Sequence, residues 1–206
     1  MDWQAFEVSI MLAVLTCLSL LPIGLALAYL LVKSNFMGRG VVEAIITLPL
    51  VLPPTVLGYF LLVGMDNDSF LGSLFVSLTG DSLAFSFAGL WFASIIYSLP
   101  FAVQPMMRSL EKIEPEIREA AWCSGLSKWR TFFKIELPLA WPGIITAMVL
   151  CFSHTLGEFG VVLMIGGSVL AFEHQQAQSM SLILLAIALV TISVVYSFNR
   201  TRMLRF

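Results

Sequence analysis

Five apolar runs free of Asp, Glu, Lys and Arg, each long enough to cross a bilayer as a helix, constrain this 206-residue sequence more than any other feature. A hydrocarbon core about 30 Å thick takes roughly 20 apolar residues of helix. The runs occupy 8–32, 44–65, 82–107, 137–157 and 177–199, the fourth containing His154, and a sixth at 159–172 is too short to cross alone. Inside lipid the backbone has no water to bond, so spanning segments of this length close their own hydrogen bonds as helices. The expected fold is therefore all-α: a polytopic membrane bundle of five or six helices, read as one domain over 1–206. Composition agrees, since 12% of residues are charged where a soluble domain carries about a quarter, and mean hydropathy is +0.93. A net charge of −2 lacks the basic footprint of a nucleic-acid binder, so no nucleic-acid partner is expected.

The segments between the runs divide by charge. Lys33 and Arg39 follow the first run; Arg108, Lys112, Arg118, Lys128, Arg130 and Lys134 lie between the third and fourth; Arg200, Arg202 and Arg205 follow the fifth. Asp2, Glu7, Asp66, Asp68, Asp81 and Glu173 fall in the alternate segments. Basic residues near span ends stay on the cytoplasmic side. This predicts an outside N-terminus and a cytoplasmic C-terminus, which requires an odd number of spans. The acidic start also lacks the basic n-region of a cleaved leader, so the first run is expected to be retained.

Two places promise breaks within the membrane. Pro49, Pro53 and Pro54 remove three backbone donors from the second run, so its helix must break or kink, and Pro100, Gln104 and Pro105 repeat the theme in the third. Irregular backbone at membrane depth is tolerated where protein or a water-filled cavity satisfies it. Pro49, Pro53, Pro54 and Thr55 are accordingly candidates for a pathway lining, beside the alternative of a kink that only eases packing. Gly157, Glu158 and Gly160 form the second candidate gate, a carboxyl between glycines near membrane depth, with His154 one helical turn earlier. Glu158 reads either as a gating residue or as a structural one. No nucleophile or further base accompanies the pair, so an enzyme is not expected. Thr55, Ser98, Ser153 and Thr155 are hydroxyls able to donate to an anion. The three cysteines suit neither a disulfide framework nor a metal spacing, and Cys17 and Cys151 read as small core residues. No cofactor or metal site is expected.

The one sizeable polar segment is 108–136. Ile113, Ile117, Ala120, Ala121 and Ser124 recur at helical spacing, with Glu111, Glu114, Glu116, Arg118 and Glu119 on the polar side. Gly125 then permits a sharp turn into a second short helix, where Trp129, Phe132 and Phe133 lie among Lys128, Arg130 and Lys134 and suit the inner membrane interface.

Glu119-Ala120-Ala121, three residues, Gly125, nine residues, Ile135, one residue, then Leu137-Pro138 resembles the signature of ABC importer permeases at every fixed position. The resemblance implies that this loop forms coupling helices inserting into a cleft of a separate cytoplasmic ATPase, with Glu119, Ala120, Ala121, Gly125, Ile135, Leu137 and Pro138 in the coupling segment. The chain holds no Gly-rich phosphate loop ending in Lys-Ser or Lys-Thr, so the hydrolysis belongs to that partner. Leu48-Pro49-Leu50-Val51-Leu52-Pro53-Pro54 and Leu156-Gly157-Glu158-Phe159-Gly160 are similar to the molybdate permease branch. That similarity implies an extracytoplasmic substrate-binding protein, a second permease copy across one pathway, a multi-pass location in the cell's inner membrane, and molybdate, tungstate or sulfate as cargo. After Ser168 the resemblance weakens as though residues were deleted internally, and a transport-defective truncated paralogue that only binds an ATPase is the rival expectation.

Overall fold

The structure, a computed structural model, describes residues 3–34 and 36–157, with Ile187 and Val190. Its elements are helices: α1 (Trp3–Lys33), α2 (Arg39–Val51), α3 (Pro54–Met65), α4 (Phe70–Thr79), α5 (Phe87–Glu111), α6 (Pro115–Cys123), α7 (Lys128–Thr131), then a π-helical turn (Phe132–Glu136) leading into α8 (Leu137–Gly157). No strand occurs among the described residues. The expected spans at 177–199 and 159–172, and the position of the apparent deletion, lie outside the described residues.

The core is a three-helix packing of α1, α5 and α8. In α1 the buried positions Leu12, Thr16, Leu20, Ala28 and Leu31 keep to one stripe, while Met11, Val14, Leu18, Ile23 and Leu30 are exposed on the rest of the surface. Apolar residues thus cover both faces, as in a helix whose outer side meets lipid. In α8, Ala140, Ile144, Ala147, Cys151 and Thr155 repeat the stripe. Between them, α5 buries Ala93, Tyr97, Ala102, Val103, Met106 and Leu110. Lipid supplies no hydrophobic drive for such packing, so close approach by small residues has to. Gly24 of α1 faces Ala102, and Gly143 of α8 lies against Ser109 of α5. Cys151 is fully buried and the half-buried Cys17 thiol donates to the Met148 carbonyl at 3.5 Å, in keeping with a core role for both.

The expected run 44–65 is realised as two helices bent by 114° at Leu52-Pro53. Their 13 and 12 residues extend about 19 and 18 Å, so neither crosses the hydrocarbon alone. Pro53 and Pro54 cannot donate to Pro49 and Leu50, and the chain turns extended at Leu52 and Pro53 before Pro54 opens α3 in the position where a missing donor costs nothing. The buried Tyr97 hydroxyl of α5 donates to the Pro54 carbonyl, pinning the break to the core. Tyr97→Phe is expected to lower stability by about 0.5–1.5 kcal/mol. Thermal denaturation in detergent checks this, and an unchanged midpoint would mean that the tie carries no weight.

Several boundaries differ from the sequence expectation: α1 starts at Trp3 and α2 at Arg39, each five residues early, and the third run does not break, since α5 continues through Pro100 and Pro105. The third helix starts at Phe87, not at 82, because Ser86 caps it by accepting from the Gly89 N–H at 3.1 Å. It also runs past 107 to Glu111, where Glu111 accepts from Arg39 at 3.3 Å and from Arg108 at 3.1 Å. Lys33, Arg39, Arg108 and Arg118 all find acidic partners at this end of the bundle.

Candidate functional site

The polar segment folds as a helix, a turn and a second short helix continuous with α8. Pro115 starts α6 at its first position. The helix stops at Gly125, whose φ of +82° glycine adopts without strain and most side chains do not. Its N–H donates to the Trp122 carbonyl at 2.9 Å and that of Leu126 to Ala121 at 3.1 Å, the paired bonds of a Schellman end. Ser127 then caps α7 by accepting from the Arg130 N–H at 3.4 Å.

Pro138 accounts for the π-turn between α7 and α8. Lacking an N–H, it cannot bond the Lys134 carbonyl, and the helix widens there, with the Leu137 N–H reaching back to Phe132. Ile135 is half-buried inside that turn, Leu137 packs on the core and Pro138 is exposed.

Around α6 the orientation is partly the reverse of the one expected from periodicity. Ile113 and Ala121 are buried, but Ile117, Ala120 and Ser124 are exposed. Arg118, assigned to the polar side, turns inward instead. Its Nε donates to Glu136 Oε1 at 2.6 Å and its Nη2 to the Leu110 carbonyl at 2.9 Å. With one face of the helix occupied by this buried contact, Ile117, Ala120 and Glu119 are left outward, and Trp122 beside them is 43% exposed. The outward surface of α6 is therefore apolar along Ile117 and Ala120, with Glu119 next to it, while Ala121 of the signature faces inward.

Sequence reasoning did not single out Glu136, Lys33 or Arg118 as a group. The Glu136 side chain is 2% exposed and its Oε1 also accepts from Lys33 Nζ at 2.6 Å. The available signal was a carboxylate between Ile135 and Leu137 at the mouth of an apolar run, where a charge needs partners.

The membrane candidates are separated. Pro49 lies within α2, Pro53 and Pro54 form the break, and Thr55 is exposed beside it. Gly157 is the exposed last residue of α8; Glu158 and Gly160 lie outside the described residues. Ser98, Ser153 and Thr155 are buried, and Ser98 Oγ lies 3.0 Å from Thr155 Oγ1 and 3.2 Å from His154 Nδ1. His154 also packs on the Phe101 ring, 4.0 Å between centroids. These groups join α5 to α8. Among the described residues no cluster of His, Cys, Asp or Glu could hold a metal.

Apolar helices with a proline-broken pair between them, and an exposed helix-turn-helix at the charged end, define a polytopic membrane protein. Residues 20–203 match the family described as binding-protein-dependent transport system inner membrane component, and the chain belongs to that family. It is 46% identical over 168 residues to the molybdenum transport system permease protein ModB of Azotobacter vinelandii, covering 82% of this chain and 74% of that one. A probable sulfate transport system permease protein, cysT of Chlorella vulgaris, is more distant at 33% over 191 residues, 85% of this chain and 71% of that one. Among solved structures, a chain of a bacterial alginate ABC transporter in complex with a pentasaccharide-bound periplasmic protein shares the fold at a TM-score of 0.69 and 17% identity, covering 95% of this chain and 77% of that chain.

Proposed function

We propose that the chain is the membrane permease subunit of an ATP-driven importer for molybdate or a closely similar tetrahedral oxyanion. In this reading it sits in the inner membrane with its N-terminus outside and its C-terminus in the cytoplasm. It pairs with a second copy and works with a separate ATPase and an extracytoplasmic binding protein. The observation that carries the reading is the outward face of α6, where Glu119 and Ala120 of the signature stand exposed on a helix fixed at both ends. The small Ala120 leaves room there for another backbone to approach. The gathering of Lys33, Arg39, Arg108 and Arg118 at the same end supports a cytoplasmic placement. The greater identity to the molybdenum permease than to the sulfate one supports the cargo.

Mechanically, ATP-driven closure of the partner moves α6, and the jointed α2–α3 pair changes the side to which the pathway opens. A dianion in hydrocarbon needs donors, and none of the five apolar runs contains Lys or Arg. The N-terminal turn of α3, with the exposed Thr55 hydroxyl, supplies a positive helix end at the break.

Vesicles reconstituted with this chain, its ATPase and its binding protein are expected to accumulate labelled molybdate when ATP is present, and excess unlabelled tungstate to compete better than sulfate. Hydrolysis without accumulation of any oxyanion would overturn the proposal.

A further inference from the structure

Motion of α6 can reach the membrane helices by two routes. One is covalent, through the turn at Lys112–Glu114 and the turn at Gly125, whose single glycine is the softest backbone in the segment. The other is through side chains. Among the described residues, Arg118 is the one α6 side chain that hydrogen-bonds another element, and it bonds two. One partner is the Leu110 carbonyl in the last turn of α5. The other is Glu136 Oε1, in the last residue of the π-turn that opens α8. The same oxygen accepts from Lys33, the last residue of α1. One carboxylate oxygen thus ties α6 to the ends of α1 and α8, through two charge-assisted bonds of 2.6 Å each, and the arginine itself reaches α5. Such bonds are short and strong, and burial strengthens them further. Placement also matters: Glu136 ends a π-turn, a helical geometry frequent at functional sites.

We propose that Arg118, Glu136 and Lys33 form the joint that passes displacement of α6 into α5, α8 and α1, with Glu136 as a positioning residue for transport. The inference rests on the importer reading, and it concerns a position that the family signature leaves open between Ile135 and Leu137.

Arg118→Met tests it most cleanly, because it removes both ties from α6 while Lys33 keeps Glu136 paired. In reconstituted vesicles ATP hydrolysis is expected to continue, while oxyanion taken up per ATP hydrolysed falls about tenfold. Glu136→Gln should lower the same ratio, and the double variant should be no worse than the more severe single one, since both act on one contact. A merely structural role predicts instead that hydrolysis and uptake fall together with the amount of folded protein, leaving the ratio unchanged, and that result would overturn the joint. Should Glu136→Gln fail to fold, Lys33→Gln gives the same readout from a partly exposed position. Absence of uptake by the unsubstituted chain would instead count against the importer reading, so the two failures are distinguishable.

Discussion

Gly143→Val is expected to push α5 and α8 apart and to cost the bundle about 2–4 kcal/mol. A Cβ at position 143 would lie 2.3 Å from Ser109 Cβ, 2.6 Å from its Oγ and 2.9 Å from the Pro105 carbonyl oxygen. No rotamer relieves such distances, because two of the obstructing atoms are a Cβ and a backbone oxygen. The helices must separate, and overpacking of this kind costs about 1–3 kcal/mol. Separation also lengthens the 3.2 Å hydrogen bond from Ser109 Oγ to the Ala140 carbonyl, with a further loss of about 0.5–1.5 kcal/mol. Denaturant titration in detergent micelles measures the effect. Introduced into a Ser109→Gly background, which lacks the nearest obstacle, the milder Gly143→Ala should cost less than half of what it costs in the parent. Full stability of Gly143→Ala by itself would mean that the helices do not approach this closely.

Contacts of that sort were invisible in the sequence, whereas the helices bearing them were not. A run of more than 20 uncharged apolar residues has one stable form in lipid, so 8–32 and 137–157 appear as α1 and α8 with ends within a few residues. The proline cluster likewise announced a break, but its size depends on how α3 packs against Tyr97, which no local pattern encodes. Around α6, periodicity found the helix and misplaced its faces. Small residues such as Ala120 suit either side, and arginine was assumed to seek solvent; a buried carboxylate far along the chain reversed that preference for Arg118. Of the candidate site, the turn at Gly125 and the break at Pro53 were legible because they rest on special backbone chemistry. The Glu136 cluster was not, because it joins residues 33, 118 and 136 that only the folded bundle brings together.

Gly125 allows the turn and the docking surface to be tested separately. Its φ of +82° costs a side chain about 1–2 kcal/mol of backbone strain, and a β-branched residue tolerates it worst. Yet nothing among the described residues lies within 4 Å of a Cβ built there, so this part of the fold has room for a larger residue. Gly125→Val should therefore loosen the end of α6 and obstruct an incoming subunit at once. Association with the ATPase, measured by co-purification at graded concentrations, is expected to weaken about 10- to 100-fold, and uptake to fall with it. Asparagine accepts the left-handed conformation and keeps the turn. Gly125→Asn should then fold like the parent, and any remaining loss of association reports the bulk of the side chain against a partner rather than strain within the chain. An intermediate loss for asparagine and a severe one for valine would locate this corner inside the docking surface. If both variants associate and transport as the parent does, α6 and its turn are not where the motor engages, and the force must enter the bundle elsewhere.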